Sequence, residues 1–306
     1  MSGPEVQTVL GPTSASALGR VLPHEHILCN MFRVTRQRPH YMMDPNEAIH
    51  DLREFRAVGG ATVVDCTNGG LGRDPAAISR ISQETGVHII MGSGWYREPF
   101  YEQDLNRMST RTLTALLLDD IDNGVEGIRP GVIGEIGADR EWLSGVEERV
   151  LRAAARAQNA SGLGLILHAS RSDVGAWQLD VLEEEGCDLR RVAVSHCDGY
   201  PFVDYHESLC RRGTLIMYDR NSPLDLPMQE ARVANAAELI RRGWSDHLLL
   251  SHDVCVIADR MRRGGPGYSY VFTQMHDDLL RAGVSEEIFD KITSVNPLQL
   301  LVGTRL

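Results

Sequence analysis

The stretch that decides the fold is VLPHEHILCN, residues 21–30. Its apolar start has the composition of a buried strand, and its end carries His24 and His26 with Glu25 between them. A doubly wound α/β sheet usually has a glycine-rich phosphate loop after its first strand. The segment HEHILCNMF that follows here cannot make that loop. The stretch therefore favours the other common arrangement of alternating strands and helices, a (β/α)8 barrel.

Working outward, seven more apolar, β-branched runs recur along the chain, and each ends in polar residues. Continuous apolar runs of this length are typical of strands buried on both faces of a parallel sheet. Segments with helical periodicity lie between them, such as 45–57, 143–161 and 228–242. We therefore predict one (β/α)8 TIM-barrel domain over residues 1–306. The predicted strands are 20–27, 61–68, 88–95, 131–137, 163–170, 191–198, 213–220 and 247–254.

The bulk composition excludes several classes of partner. A formal net charge of -11 argues against a nucleic-acid surface, which needs a basic face. No apolar stretch approaches the length of about 20 residues that spans a bilayer, and the N-terminus lacks the pattern of a secretory signal. The six cysteines contain no CxxC pair, which fits free thiols. We expect a cytoplasmic protein that acts on a small molecule, with no nucleic-acid or membrane partner.

Polar residues that can bind metals lie at the carboxyl ends of five of the predicted strands. Catalytic residues of such barrels cluster at the carboxyl ends of the strands, and side chains at positions i and i+2 of a strand share a face. His24 and His26 should therefore point together, while Glu25 points away. Imidazole and carboxylate ligands suit zinc and other divalent transition metals. The candidate metal ligands are His24, His26, Glu135, His168, His196 and Asp253.

Six such ligands are more than one closed zinc site uses, so we predict two metal ions. A two-metal centre needs a bridging anionic ligand and can activate a shared water as hydroxide. Glu135, from the strand midway around the barrel, is the natural bridge. Asp253, on the last strand beside the first, is the candidate catalytic base as well as a ligand.

These residues resemble the phosphotriesterase family of the amidohydrolase superfamily over essentially the whole chain. The motifs that carry the resemblance are PHEH (23–26), GEIG (134–137), LILHAS (165–170), SHCD (195–198), LLSHD (249–253), GGPGYSY (264–270) and SVNPLQLL (294–301). The resemblance implies a binuclear metal hydrolase, with zinc, manganese or cobalt as the two divalent ions. It also implies that His24, His26 and Asp253 hold the more buried ion and that His168 and His196 hold the more exposed one.

The bridging residue separates this chain from the better-known members of the family, in which a carbamylated lysine on strand 4 bridges the metals. Lys291 is the only lysine in the chain, and strand 4 carries Glu135. The sequence therefore looks like the glutamate-bridged branch, which comprises phosphotriesterase homology proteins, sugar-lactone hydrolases and phosphotriesterase-related proteins. Homodimers are common among such relatives, so the resemblance is compatible with a homodimer.

The resemblance and the loop positions suggest which side chains contact substrate. The candidates are Tyr96, Arg97, Tyr218, Arg220 and Tyr268. We expect a lactonase that opens a small anionic or sugar-derived lactone, because the glutamate-bridged relatives favour that reaction. Phosphotriester hydrolysis and N-acyl amide hydrolysis are alternatives within the same chemistry. A ligand-binding protein that keeps the fold without the activity is the alternative from another class.

Several further residues near these motifs keep open roles. His252 should lie on the opposite strand face from the metals and be structural. Asp198 follows His196 by two residues, so it could relay protons or orient a ligand histidine. Arginines at a pocket rim suit an anionic substrate. The 260–263 loop contains three arginines that could lie either at such a rim or on a solvated surface: Arg260, Arg262 and Arg263.

Overall fold

Eight parallel strands form the centre of the fold, as the sequence predicts. In the computed structural model, which describes residues 3–101, 104–170 and 172–303, each strand pairs in parallel with the next one along the chain. The strands are β1 (Arg20–Glu25), β2 (Gly60–Asp65), β3 (His88–Ser93), β4 (Val132–Gly137), β5 (Gly164–His168), β6 (Val192–Ser195), β7 (Leu215–Tyr218) and β8 (Leu248–Leu250).

The first and last strands meet at a seam formed by side-chain and loop contacts. The hydroxyl of Ser251 lies 3.1 Å from the backbone nitrogen of His24 and 2.8 Å from its carbonyl oxygen. The backbone N–H of Asp253 also donates to that carbonyl, at 3.3 Å. These contacts bring β1 and β8 together, so the predicted (β/α)8 barrel is confirmed.

Helices follow each strand and cover the outside of the barrel. The predicted helix 45–57 has the same bounds in the structure, while the predicted helix 143–161 begins at Gly145. Ser144 caps that helix by a reciprocal capping box with Glu147, which fixes its start. The helices are α1 (Pro45–Ala57), α2 (Pro75–Thr85), α3 (Thr110–Asn123), α4 (Gly145–Ser161), α5 (Val174–Glu184), α6 (Val203–Cys210), α7 (Leu226–Arg241), α8 (Gln274–Arg281), α9 (Glu286–Asp290) and α10 (Asn296–Val302).

The alternation of side chains along each strand divides the core into two layers. One buried cluster takes an inward-facing residue from every strand, and it is covered at the amino-terminal end of the barrel by Leu18, Leu298 and Leu300. The intervening residues pack outward against the helices. The inward-facing residues include Val21, Val64, Ile90, Val132, Ile166, Ala193, Leu215 and Leu249.

The strands end earlier than the sequence patterns suggest. The run 213–220 forms a strand only over Leu215–Tyr218, and the run 247–254 only over Leu248–Leu250. The polar residues beyond these points lie in loops at the carboxyl end of the barrel, which is where the site is built. Smaller pieces include a hairpin of Glu5–Thr8 and Gly11–Ser14, a short helix Phe32–Thr35, and the pair Cys29–Asn30 with Tyr41–Met42. Among the described residues, no helix is both long and apolar enough to span a bilayer.

Candidate active site

Local irregularities in the backbone turn the candidate ligands into the barrel. On β5, His168 lies two residues after the inward-facing Ile166, so simple alternation aims it inward. On β1 and β4 the pairing register shifts just before the ligands, which re-aims His24 and Glu135. His196 and Asp253 follow their strands with φ of 61° and 56°, in the left-handed region.

Glu135 lies at the centre of the candidate ligands, and its two carboxylate oxygens face different histidines. Oε1 lies 3.3 Å from Nε2 of His26. Oε2 lies 2.9 Å from Nδ1 of His168 and 3.6 Å from Nε2 of His196. Although burial alone would raise it, the imidazoles of His24 and His168 hold the pKa of Glu135 well below its ordinary value. Nε2 of His24 also lies 3.4 Å from Oε2. The ionised carboxylate is thus within reach of histidines from both predicted metal positions, as a bridging ligand requires.

The two β1 histidines are oriented by polar groups behind them. Nδ1 of His26 lies 3.0 Å from the hydroxyl of Thr67. Nδ1 of His24 lies 2.8 Å from the hydroxyl of Ser195 and 2.9 Å from Oδ2 of Asp219. These partners take up Nδ1 of both rings, so that Nε2 of each faces Glu135, as expected for metal-binding imidazoles.

His168 and His196 form the second pair, and their facing nitrogens are 2.8 Å apart. His196 turns Nε2 toward Glu135 because its Nδ1 contacts Oδ1 of Asp219. His168 instead turns Nδ1 toward Glu135. Burial and the neighbouring His196 lower the pKa of His168 to about 4, so this ring is neutral at physiological pH and has a lone pair for a metal.

Asp219 is a site residue that the sequence analysis missed. Its carboxylate touches His24 through Oδ2 and His196 through Oδ1, and it is fully buried. The sequence does carry a sign of this role, because Asp219 lies just beyond the apolar run of β7, between the two candidate substrate residues Tyr218 and Arg220. It joins one histidine from each predicted metal position.

Asp253 lines the cavity and also faces the β1 histidines. Its Oδ1 lies 3.4 Å from Nε2 of His26 and 3.9 Å from Nε2 of His24. Burial disfavours its charged form, yet the hydrogen bond with His26 and the surrounding imidazoles lower the pKa of Asp253 below its ordinary value. It is therefore an ionised carboxylate at the boundary between the ligand cluster and the cavity.

Glu25 points away from this cluster, as its position in the strand predicts. Its Oε1 accepts hydrogen bonds from the backbone N–H and ring Nδ1 of His252, at 2.7 and 2.8 Å, and its Oε2 accepts from the backbone N–H of Val254 at 2.9 Å. Nε2 of His252 accepts from the backbone N–H of Val271 at 2.9 Å. Both residues thus hold the loop that carries Asp253.

The chemistry of the donor set fits divalent metal ions. Nε2 of His24 is buried and has no hydrogen-bond partner among the described residues, which is costly for a polar atom unless a ligand satisfies it. Three groups of three donors converge closely enough to hold an ion: His24, His26 and Glu135; Glu135, His168 and His196; and His24, His196 and Asp219. Glu135 belongs to the first two groups, so these residues can hold two ions that share one carboxylate.

An open cavity of about 650 Å³ lies above the ligand cluster. Its wall includes His168 and Asp253 together with three of the predicted substrate residues, Tyr96, Arg97 and Arg220. The ring of Tyr96 packs edge-on against His168, with centroids 4.8 Å apart. A substrate in this cavity would therefore contact both the ligand cluster and these three side chains.

The structure does not bring Tyr218 and Tyr268 to this cavity. Tyr218 is fully buried behind β7, with its hydroxyl 2.8 Å from Nδ1 of His206. Tyr268 is also fully buried; its hydroxyl donates to the carbonyl of His26 and accepts from Nη1 of Arg260, both at 2.8 Å. These two tyrosines support the framework of the site, so we do not place them among the substrate contacts.

The 260–263 loop arginines also lie away from the cavity. The guanidinium of Arg260 is fully buried, donates to the carbonyl of Ile27 and lies 3.4 Å from Asp51, so it anchors the end of β1. Arg263 pairs with Glu47 at 2.9 Å, and Arg262 is exposed. The arrangement agrees with structural or surface roles for all three.

Asp198 acts on the site through the backbone. Its Oδ1 accepts from the N–H of Asp219 at 3.4 Å, and its Oδ2 accepts from the N–H of Arg220 at 3.0 Å. Burial and the nearby Asp219 carboxylate raise the pKa of Asp198 to about 6. Of the two predicted roles, the contacts support orientation, because Asp198 positions the segment that carries Asp219 and Arg220.

Comparison with known proteins agrees with this geometry. The phosphotriesterase family model matches residues 4–301. N-acetyltaurine hydrolase of Rattus norvegicus is 32% identical over 97% of both chains. Two solved structures superpose closely. A resiniferatoxin-binding protein from Rhodobacter sphaeroides is 29% identical, with a TM-score of 0.89 over 97% of this chain and 94% of that one. The Escherichia coli phosphotriesterase homology protein, with phosphate in its active site, is 27% identical, with a TM-score of 0.90 over 93% of this chain and 99% of that one. The chain therefore belongs to the phosphotriesterase family of hydrolases.

Proposed function

We propose that this protein is a metal-dependent hydrolase that cleaves the acyl bond of a small N-acyl amide. The observation that carries the proposal is the Glu135 carboxylate, which lies within reach of histidines from both predicted metal positions at the base of an open cavity. The choice of an amide over an ester is supported by the relative named N-acetyltaurine hydrolase, which aligns with 97% of this chain.

The donor set suggests the cofactor that would act here. His24, His26 and Asp253 would hold one divalent ion, His168 and His196 the other, and Glu135 would bridge them. Imidazole nitrogens and carboxylate oxygens suit zinc, with manganese or cobalt as alternatives. Such ions supply Lewis acidity and lower the pKa of bound water toward neutrality.

The chain's own residues would then move the proton and shape the cavity. Asp253 is ionised and lines the cavity, and its backbone N–H donates to the carbonyl of His24. It can therefore accept a proton from the attacking water and deliver it to the leaving amine. Tyr96 and Arg97 form one wall, where the guanidinium stacks on the tyrosine ring at 5.0 Å and pairs with Asp139 at 2.6 Å. This wall limits how the acyl group can be oriented.

Opening of a small lactone, the reaction expected from the sequence, is the second candidate. The same nucleophile can attack an ester carbonyl, and Glu135 in place of a lysine bridge is the feature that the sugar-lactone hydrolases share. Phosphotriester hydrolysis ranks third, because an acyl substrate is the one named for a relative that covers nearly the whole chain.

A hydrolysis screen with metal-loaded and metal-stripped protein tests the proposal. N-acetyl amides of small amines and amino acids, five- and six-membered lactones, and organophosphate triesters would be compared. We expect amide hydrolysis that disappears on chelation and returns with zinc, manganese or cobalt. Turnover of lactones alone would move the second candidate to first place. Ligand binding that survives metal removal, with no turnover of any substrate, would support a binding protein instead.

A further inference from the structure

The wall of the cavity formed by β7 and α7 carries a second arginine, Arg232, which no sequence motif marked. Arg232 lies within α7 and lines the cavity, although it is only 6% exposed. Its Nε lies 3.0 Å from Oδ2 of Asp198. Neither Nε nor Nη1 has an aligned hydrogen-bond partner among the described residues. A buried guanidinium with unsatisfied donors is costly unless a further group completes its hydrogen bonds.

Arg220 lies beside Arg232 on the same wall. The oxygen of Asp198 that contacts Arg232 also accepts from the backbone N–H of Arg220, which places the two residues next to each other. Arg220 also lines the cavity, and its guanidinium forms no ion pair or hydrogen bond with any residue that the structure describes. The unsatisfied donors of Arg232 and the unpaired guanidinium of Arg220 thus lie on one wall of the cavity.

The other charged groups that line the cavity have partners of their own or are exposed, and Asp253 among them faces the β1 histidines. Arg97 and Asp139 form their own pair. Asp225 and Glu141 also line the cavity but are exposed, where water screens them. The carboxylate of Asp259 accepts hydrogen bonds from the backbone N–H groups of Cys255 and Val256.

We propose that Arg232, together with Arg220, binds an anionic group of the substrate, a sulfonate or carboxylate that a short linker separates from the scissile acyl bond. The inference rests on the proposed function for the acyl bond, but the anion site itself does not. The linker must be short because Asp198 connects the anion site to the ligand cluster. Asp198 contacts Arg232 and also accepts from the N–H of Asp219, and the Asp219 carboxylate orients His196. Planar guanidinium donors match the oxygens of such anions.

The first test measures binding without turnover. Methanesulfonate would be titrated by calorimetry into the metal-loaded protein and into two charge-matched variants, Arg232→Gln and Arg262→Gln. Arg262 is exposed and lies away from the cavity, so its variant controls for the loss of one positive charge. We expect Arg232→Gln to weaken binding about tenfold to hundredfold, the range for losing hydrogen bonds to a charged group, and Arg262→Gln to leave it unchanged. Equal binding by the Arg232 variant would place the anion on the metals instead and overturn the proposal.

The second test uses turnover with paired substrates: N-acetyltaurine and N-acetyl-β-alanine as anions, and the neutral amide of N-acetyl-β-alanine. We expect Arg232→Gln to raise KM about tenfold or more for the anions, with little change for the neutral compound. Arg232→Lys keeps the charge and the pairing with Asp198, so its KM for the anions should lie between those of the unmodified protein and of Arg232→Gln. This variant also controls for a folding defect. A KM that rises equally for all three substrates would show that Arg232 is only structural. Sulfonate binding that depends on Arg232 without any hydrolysis would refute the proposed function and leave the anion site standing.

Discussion

Oδ1 of Asp219 lies 2.8 Å from Nδ1 of His196, and this contact turns Nε2 of His196 toward Glu135. The other oxygen of the same carboxylate lies 2.9 Å from Nδ1 of His24. Because these two histidines belong to different predicted metal positions, one buried carboxylate orients a ligand of each. The two predicted positions are therefore coupled through one carboxylate that contacts a histidine of each.

The first prediction concerns this coupling. Asp219→Asn keeps the shape of the side chain but removes its charge and one acceptor, so affinity should fall for both ions by about tenfold to hundredfold, the usual cost of losing such a supporting partner. Thr67→Val is the matched control, since Thr67 supports only His26, and it should weaken only one ion. Metal titrations followed by calorimetry, with elemental analysis of the dialysed protein, would measure both. Loss of a single ion from the Asp219 variant would refute the coupling.

The second prediction concerns the catalytic base. Asp253→Asn keeps an oxygen that can still ligate a metal but cannot accept the proton, so kcat should fall by about 10²- to 10⁴-fold, the usual contribution of a positioned general base. Metal content, measured by elemental analysis, should stay close to that of the unmodified protein. A variant with nearly normal kcat would exclude Asp253 as the base.

The third prediction concerns the seam between β1 and β8. The two carboxylate oxygens of Glu25 accept hydrogen bonds from His252 and Val254. Glu25→Gln replaces one of these oxygens with an amide NH₂ group, a donor that would then face another donor. The free energy of unfolding should fall by about 3 kcal/mol, because hydrogen bonds to a buried charged group are among the stronger ones. Urea denaturation of the metal-free protein would measure this. Glu84→Gln, at an exposed helical ion pair, should change it by less than about 0.5 kcal/mol; a similar loss in both variants would contradict the special role of Glu25.

The fourth prediction concerns pH. Burial disfavours imidazolium ions, but the hydrogen bonds of His26 with Asp253 and Glu135 raise its pKa to about 9, and Asp219 raises that of His196 to about 10. Both rings are therefore protonated at pH 7 in the metal-free protein and must lose those protons to bind a metal. Metal affinity should rise with pH from 7 to about 10, and calorimetry in buffers of different ionisation enthalpy should detect proton release.

The same shifts set the stability of the metal-free protein. The ordinary pKa of histidine is 6.5, and both folded values are higher. The stabilisation from these two rings is therefore complete below pH 6.5 and is lost as the pH rises through about 9 to 10. Thermal unfolding of the chelated protein should show this decline, while the metal-loaded protein should lack it. A flat profile for the chelated protein would mean that the rings are neutral when folded.

The barrel could be predicted because apolar runs identify its strands. The direction of Glu25 could be predicted only relative to its neighbours, because alternation places it on the face opposite to His24 and His26. Alternation would also have excluded Tyr218, since Leu215 and Met217 of the same strand point inward and Tyr218 therefore points out toward the helices. Tyr218 ends its strand, but its position in the alternation of side chains directs it away from the cavity.

Other parts of the site depend on tertiary structure that no local pattern reports. The register shifts on β1 and β4 that aim His24 and Glu135 arise from strand pairing. Arg232 reaches the cavity from the middle of α7, where arginine is normally a solvated helical residue. Its role follows only from its burial and from the contact with Asp198.

The seam also sets an order of events during synthesis. His24 and His26 are translated with β1, whereas Asp253 and the loop that Glu25 holds follow β8, far later in the chain. The nascent chain therefore carries an incomplete ligand set until β8 has been made. Ions that need the full set of ligands could bind only after the ring of strands has closed.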